Sequence, residues 1–225
     1  MKNFTIKKKS KSLLIKIISY ATCAVTCVAF YFPQSAAAKT LNKVSLLQQH
    51  SSDLEQIENY LNNIQNLSTK FVQESAEGNV AEGKLFLSRP GKMRIEYNAD
   101  PKILIIVNGS VLAYKDVELD ETSYLSTNTT PASFLTRANI SFSAKDVEIT
   151  NVKKSDRQIK VSVMKKNRKE AGEFSIIFAT NPLKFIKMEV RNELDQITSV
   201  TLLDSDFERP IAGSMFVIKN KNLPQ

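Results

Sequence analysis

The chain has 225 residues, enough for one domain or two small ones, with Lys+Arg 31 against Asp+Glu 23 and a formal charge of +8. Six of the lysines (Lys2, Lys7, Lys8, Lys9, Lys11, Lys16) fall in residues 1–38, which hold no acid, so removing those six leaves only +2 for residues 39–225. That distribution argues against a nucleic-acid binder, and both cysteines (Cys23, Cys27) lie in the same first segment, which excludes a disulfide framework, a Cys-ligated metal and a Cys nucleophile from the remainder.

Residues 1–12 are polar and basic, residues 13–32 mostly apolar, and Pro33-Gln34-Ser35 precedes Ala36-Ala37-Ala38. This is the pattern of a secretory signal peptide, with cleavage expected between Ala38 and Lys39. An uncleaved membrane anchor and a lipidated start at Cys23 or Cys27 are the alternatives. The Ala-x-Ala site favours cleavage, and neither cysteine has a leucine three positions upstream. The expected organisation is a removed leader, 1–38, and a single exported domain, 39–225. Export without disulfides points to a bacterial cell envelope more than to a eukaryotic secretory pathway.

Residues 39–67 contain no Gly or Pro, and Leu47, Leu54, Ile57, Leu61 and Ile64 form one apolar stripe of an amphipathic helix. From Ser68 the period changes to two. Residues 92–97, 158–163 and 186–191 alternate apolar and polar, while 103–107 and 174–178 are apolar on both faces. Turn signals separate these runs, Asn108-Gly109 being the strongest hairpin signal. About ten strands with no long helix between them predict an antiparallel meander. Pro131 opens a short helix expected over residues 131–138 between strands.

Two helices cannot cover a flat sheet of that size. The expected fold is therefore mainly β with an α lid: an unclosed antiparallel barrel covered by the N-terminal helix and a short mid-chain helix. Its inner face should carry Leu85, Leu87, Met93, Ile95, Tyr97, Ile159, Val161, Ile176 and Met188. Pattern alone does not separate an apolar cavity from a packed core.

No residue constellation marks an enzyme. His50 reads as an exposed helix residue, Asp204–Glu208 as a solvated turn without the Gly and Glu of a calcium loop, and Glu118, Asp120 and Glu121 as a wet hairpin tip. No Walker-type phosphate loop occurs, and no metal or cofactor is expected. Residues 165–169 (Lys-Lys-Asn-Arg-Lys) read as a hairpin tip that could also meet an anionic surface.

Residues 82–97, Glu-Gly-Lys-Leu-Phe-Leu-Ser-Arg-Pro-Gly-Lys-Met-Arg-Ile-Glu-Tyr, resemble the Gly-x-Leu-x-x-x-Arg-Pro strand and turn of the periplasmic outer-membrane lipoprotein carrier family, LolA. Phe71-Val72-Gln73, residues 105–109 with Leu112 and Tyr114, Thr130-Pro131-Ala132-Ser133-Phe134-Leu135 and Phe216 resemble further family motifs in the same order. The resemblance implies an apolar cavity for the acyl chains of a lipoprotein, with Phe71 and Met93 among its lining residues. Pro131, Phe134 and Leu135 would belong to the lid. Arg89 would bond the lid and hold the unloaded form closed; taken alone it reads as a surface turn arginine, but it shares the parity of Leu85 and Leu87. The partners implied are acylated lipoproteins, an inner-membrane ABC lipoprotein-release complex, and an outer-membrane acceptor or the outer membrane itself, with the carrier a monomer. An envelope sensor or fatty-acid binder on the same scaffold is the alternative. Ile95 stands where relatives often carry Trp, and residues 220–225 lack their double-proline ending and longer C-terminal extension, so partner specificity should differ.

Overall fold

A computed structural model describes residues 48–98, 100–168 and 171–217. The leader with its Ala38–Lys39 site, Leu47, Lys169 and residues 218–225 lie outside the described residues.

Helix α1 spans Ser51–Asn63. Leu54, Ile57 and Leu61 bury one stripe of it, and Asp53 places a carboxylate in the first turn, where the helix dipole favours it. The helix stops short of the expected Leu67 because the period has already changed: Ile64 is extended (φ −74°, ψ 105°) and Asn66 opens a strand. His50 is a correction. It sits half-buried at the helix N-cap, with Nδ1 3.5 Å from Asp53 Oδ2, not out on an exposed helix face.

Among the described residues eleven strands follow, against about ten expected: β1 Asn66–Glu74, β2 Val80–Ser88, β3 Lys92–Tyr97, β4 Ile103–Asn108, β5 Val111–Asp116, β6 Glu121–Ser126, β7 Val147–Lys154, β8 Gln158–Lys165, β9 Glu173–Thr180, β10 Leu183–Arg191 and β11 Ile197–Asp206. They form one antiparallel sheet in the order β6-β5-β4-β3-β2-β1-β11-β10-β9-β8-β7. Two meanders are thus joined where β1 pairs with β11, and β6 and β7 are the outermost strands.

Residues 127–146 connect those two outermost strands. Eleven flat strands at about 4.8 Å spacing would hold them nearly 50 Å apart. Instead Lys165 Nζ, at the end of β8, donates to Asn128 O at 3.3 Å, just past β6. The sheet therefore curls until its margins approach one another, without closing, and the 127–146 connection bridges the gap as a lid. Pro131 precedes helix α2, Ala132–Leu135, as its N-cap (φ −58°). The helix is one turn long and ends before the expected Ala138.

The inner face and both helices share one apolar cluster, running from Leu54, Ile57 and Leu61 through Phe71, Leu85, Met93, Phe134 and Phe142 to Phe178 and Met188. The runs apolar on both faces have outer covers. Phe216, 1% exposed, lies in a 3-10 turn (Gly213–Phe216) on the outer face of β3 and β4, and Arg94 Nη1 donates to Met215 O at 2.8 Å. Ile177 on β9 sits between Lys160 and Lys187 on its two neighbours, whose alkyl stems shelter it while their ammonium groups meet Glu189. The alternation of β10 begins only at Ile186 because a bulge lies between Phe185 and Lys187.

Gly83 is fixed by the same inner face. It stands opposite Phe71 on β1 and Tyr97 on β3, and those two rings meet edge to face across it, 5.4 Å between centroids. A Cβ there would lie 2.1 Å from Glu96 O and 2.6 Å from Phe71 Cζ.

The other polar clusters resolve structurally. Asp204 and Asp206 belong to the end of β11, not to a free turn, and Asp206 Oδ1 accepts the backbone N–H groups of Glu208 (3.0 Å) and Arg209 (3.2 Å), which hold its carboxyl below the usual range. Glu118 and Asp120 form the β5–β6 tip, where Asp120 pairs with Lys115, and Glu121 opens β6. Among the described residues no three His, Cys, Asp or Glu side chains converge on a metal position.

Candidate functional site

The site is built where the end of β2, the end of α1 and the chain after α2 meet. Arg89 directly follows β2, and its backbone N–H donates to Gln65 O at 2.8 Å, which fixes the chain there. The side chain keeps the parity of Leu85 and Leu87 and turns inward, 8% exposed. Nη1 donates to Leu61 O in the last turn of α1, and Nη2 to Asn62 Oδ1 at 3.1 Å. Nε donates to Arg137 O at 3.0 Å, and Nη2 also reaches Ala138 O at 3.5 Å. Helix C-terminal carbonyls lack partners within the helix and carry the negative end of its dipole, so a cation there is well placed. Burial lowers the Arg89 pKa, yet a guanidinium keeps its charge, and these acceptors are neutral oxygens without a carboxylate among them.

Two side chains of α1 complete the fastening, and sequence reasoning missed both. Asn62 Oδ1 accepts the Ile140 N–H at 2.8 Å while its Nδ2 donates to Ile140 O at 2.9 Å. Glu58 Oε1 accepts the Phe142 N–H at 2.5 Å and the Ser141 hydroxyl at 3.2 Å. Ile140, Ser141 and Phe142 are therefore tied directly to α1, and Arg137 and Ala138 are tied to it through Arg89. On the far side Arg137 Nη2 meets Asp146 Oδ2 at 2.5 Å, and the Arg137 guanidinium lies 5.6 Å from the Phe134 ring centre. Burial raises the Asp146 pKa, but the Arg137 hydrogen bonds and charge outweigh it and leave the carboxyl below its usual value.

Beneath this fastening the expected cavity residues share one interior. Phe71, Leu85, Leu87, Met93, Ile159, Val161, Ile176 and Met188 are each 9% exposed or less; Ile95 and Tyr97 are half-buried and pack on the same cluster. Phe134 and Leu135 are buried on the lid's inner side and Pro131 is half-buried near its start. Tyr97 donates to Gln73 Oε1 at 2.8 Å, and burial, with Tyr114 nearby, raises its pKa, so the phenol stays neutral. Phe134 packs between Phe142 (5.9 Å) and Phe174 (6.0 Å). Between the lid and β7–β9 lies a small crevice of about 30 Å³, lined by Phe134, Val147, Val163 and Phe174 among others, with room for ordered water. In this closed form Phe134 and Leu135 of the lid pack into the interior cluster.

The family model described as "Outer membrane lipoprotein carrier protein LolA" matches residues 62–219, a span that holds Arg89, the lid and all eleven described strands. The chain belongs to the LolA family. "Uncharacterized protein RP864" of Rickettsia prowazekii (strain Madrid E) is 22% identical over 183 residues, covering 81% of this chain and 84% of that protein. Among solved structures, the LolA superfamily protein NE2245 from Nitrosomonas europaea aligns with a TM-score of 0.43 at 9% identity, over 73% of this chain and 97% of that one. A DUF1329 family protein from Desulfovibrio piger ATCC 29098 aligns with a TM-score of 0.46 at 11% identity, over 75% and 96%.

This LolA-family lid carries one feature working against closure. Thr127, 3% exposed at the start of the 127–146 connection, buries Oγ1 with no hydrogen-bond partner among the described residues. An orphaned hydroxyl costs about 1–3 kcal/mol, and an apolar group of the same shape removes that cost. Thr127→Val should raise the melting temperature by roughly 2–12 °C. A thermal melt with no rise would mean the hydroxyl is satisfied in solution.

Proposed function

We propose that this protein shelters the acyl chains of lipoproteins and carries them across the periplasm. The observation that carries the reading is the Arg89 fastening: one side chain ties the lid connection to α1 over an interior lined by apolar groups. Such an interior opens as a unit when the lid leaves.

The magnitudes permit it. Withdrawing Phe134 and Leu135 from the cluster costs roughly 3–6 kcal/mol at about 1.5–3 kcal/mol each. Burying a lipid chain returns about 0.8 kcal/mol per methylene. Roughly four to eight methylenes offset the two side chains, and a few more offset the hydrogen bonds of Arg89. A single long acyl chain is enough to open the lid, and its release into an acceptor lets the lid close again. No nucleotide is needed at this protein. The rest of the reading follows from the family. Residues 1–38 would be removed on export, and the mature chain would act as a soluble, non-catalytic monomer that does not bind nucleic acid. Cargo would come from an inner-membrane ABC lipoprotein-release complex and pass to an outer-membrane acceptor or to that membrane itself.

The test is displacement of an apolar fluorescent dye by a triacylated lipopeptide. The lipopeptide should displace the dye and the unacylated peptide should not. Failure of the acylated peptide would end the carrier reading. Equal displacement by free palmitate would favour the amphiphile-binding alternative.

A further inference from the structure

On β3, β4 and β5 the inner face is covered toward one end of the strands and open toward the other. Met93, Val107 and Leu112 form one row across these strands and are buried. Ile95, Ile105 and Tyr114 form the next row and are half-buried. Tyr97, beyond Ile95, is half-buried too, and so is Gln73, the inward-facing residue after Phe71 on β1. Three polar side chains thus stand at the open end. Gly83 carries no side chain, so Tyr97 reaches across β2 and donates to Gln73 Oε1 at 2.8 Å. That bond leaves both N–H groups of Gln73 Nε2 without a partner among the described residues, and the Tyr114 hydroxyl has none there either. Burial raises the Tyr114 pKa and the Asp116 charge adds to it, so the phenol keeps its proton and remains a donor.

These donors lie well away from the lock. Tyr97 stands opposite Gly83, and Arg89 follows Gly83 by six residues, about 20 Å at about 3.3 Å per residue. One lipid leaflet holds its acyl chains in about 15 Å, half the hydrocarbon core of a bilayer. A chain that begins beside Tyr97 and runs along Phe71, Leu85 and Met93 therefore ends just short of Arg89, with its ester or amide carbonyl left at the open end. A carbonyl set against an apolar wall without a donor costs free energy. We infer that Gln73 and Tyr114, with Tyr97 holding the Gln73 amide in place, form a polar collar that binds the ester or amide carbonyls of acylated cargo. This rests on the carrier reading above and adds the part of the substrate that apolar contacts cannot recognise. None of the three side chains is a cation, so the collar suits a neutral carbonyl and not a phosphate.

The experiment compares a dipalmitoyl lipopeptide with its ether-linked analogue, which has the same chains and no ester carbonyls, binding to wild type, Gln73→Met and Tyr114→Phe. Wild type should favour the ester form by about two- to tenfold for each hydrogen bond made. Each substitution should lower the ester-to-ether affinity ratio by about that factor and leave binding of the ether form unchanged. A purely structural role would weaken both forms alike and hold the ratio constant. Should Gln73→Met fail to fold, Tyr114→Phe decides alone. Equal binding of the two forms by wild type, or a ratio unchanged in both variants, overturns the collar and leaves the carrier reading intact. A wild type that binds neither form overturns both. Dipalmitoyl phosphatidylglycerol carries the same two esters and serves as competitor. Its failure to displace the lipopeptide supports a lipoprotein as the source of the carbonyls, and displacement at equal concentration overturns that source.

Discussion

Arg89→Leu should leave the protein folded but with its lid released. The substitution removes every hydrogen bond that joins the end of β2 to Leu61, Asn62, Arg137 and Ala138. Bonds from an ionised donor contribute about 1.5–3 kcal/mol each, and relief of burying an unpaired cation offsets part of that. A net loss of about 2–4 kcal/mol for the closed form raises the open population roughly thirty- to several-hundred-fold. Apolar dye should bind the unloaded variant far more strongly than wild type, and amide exchange should rise across residues 137–142. Arg89→Lys keeps the charge but not the planar fork that reaches both α1 and the lid, and should fall between the two. Dye uptake and cargo release both unchanged in Arg89→Leu would remove Arg89 from any locking role.

The second large effect is expected at Gly83, and it falls on stability, not on the lid. A methyl group there would meet the Glu96 carbonyl at 2.1 Å and the Phe71 ring at 2.6 Å. The ring is packed against Tyr97 and the carbonyl belongs to the β3 backbone, so neither can yield without breaking the β2–β3 ladder. Gly83→Ala should lose about 3–5 kcal/mol in a denaturant titration. Gly213→Ala is the control. Nothing lies within 4 Å of a Cβ there, and its stability should stay within about 0.5 kcal/mol of wild type. A Gly83→Ala protein as stable as wild type would contradict the close packing of the inner face.

How much of this was legible in the sequence depended on the range of the interaction. Period-two alternation placed Leu85, Leu87, Met93, Val161 and Met188 on the inner face, because side-chain parity is a local property of a strand. The same parity turned Arg89 inward, although composition alone favours the surface for an arginine. Asn62 and Glu58 were invisible for the opposite reason. Their partners lie 78 and 84 residues away, at Ile140 and Phe142, and meet them only once the sheet has curled. The short α2 helix was marked by Pro131, but its end was not, since Asn62 of α1 and Arg89 just after β2 hold the chain that follows. Whether the interior is hollow or filled was also beyond the pattern. An apolar inner face serves both states, and only the structure shows Phe134 of the lid packed between Phe142 and Phe174 in the closed state.

The central claim is that this interior exists to be filled by lipid, and native mass spectrometry of the protein purified from a bacterial periplasm tests it most directly. The account predicts a population carrying a di- or triacylated lipoprotein, lost on unfolding, and uptake of added lipopeptide by the empty fraction. Protein that is always empty and refuses added lipopeptide would show a permanently packed core and contradict it.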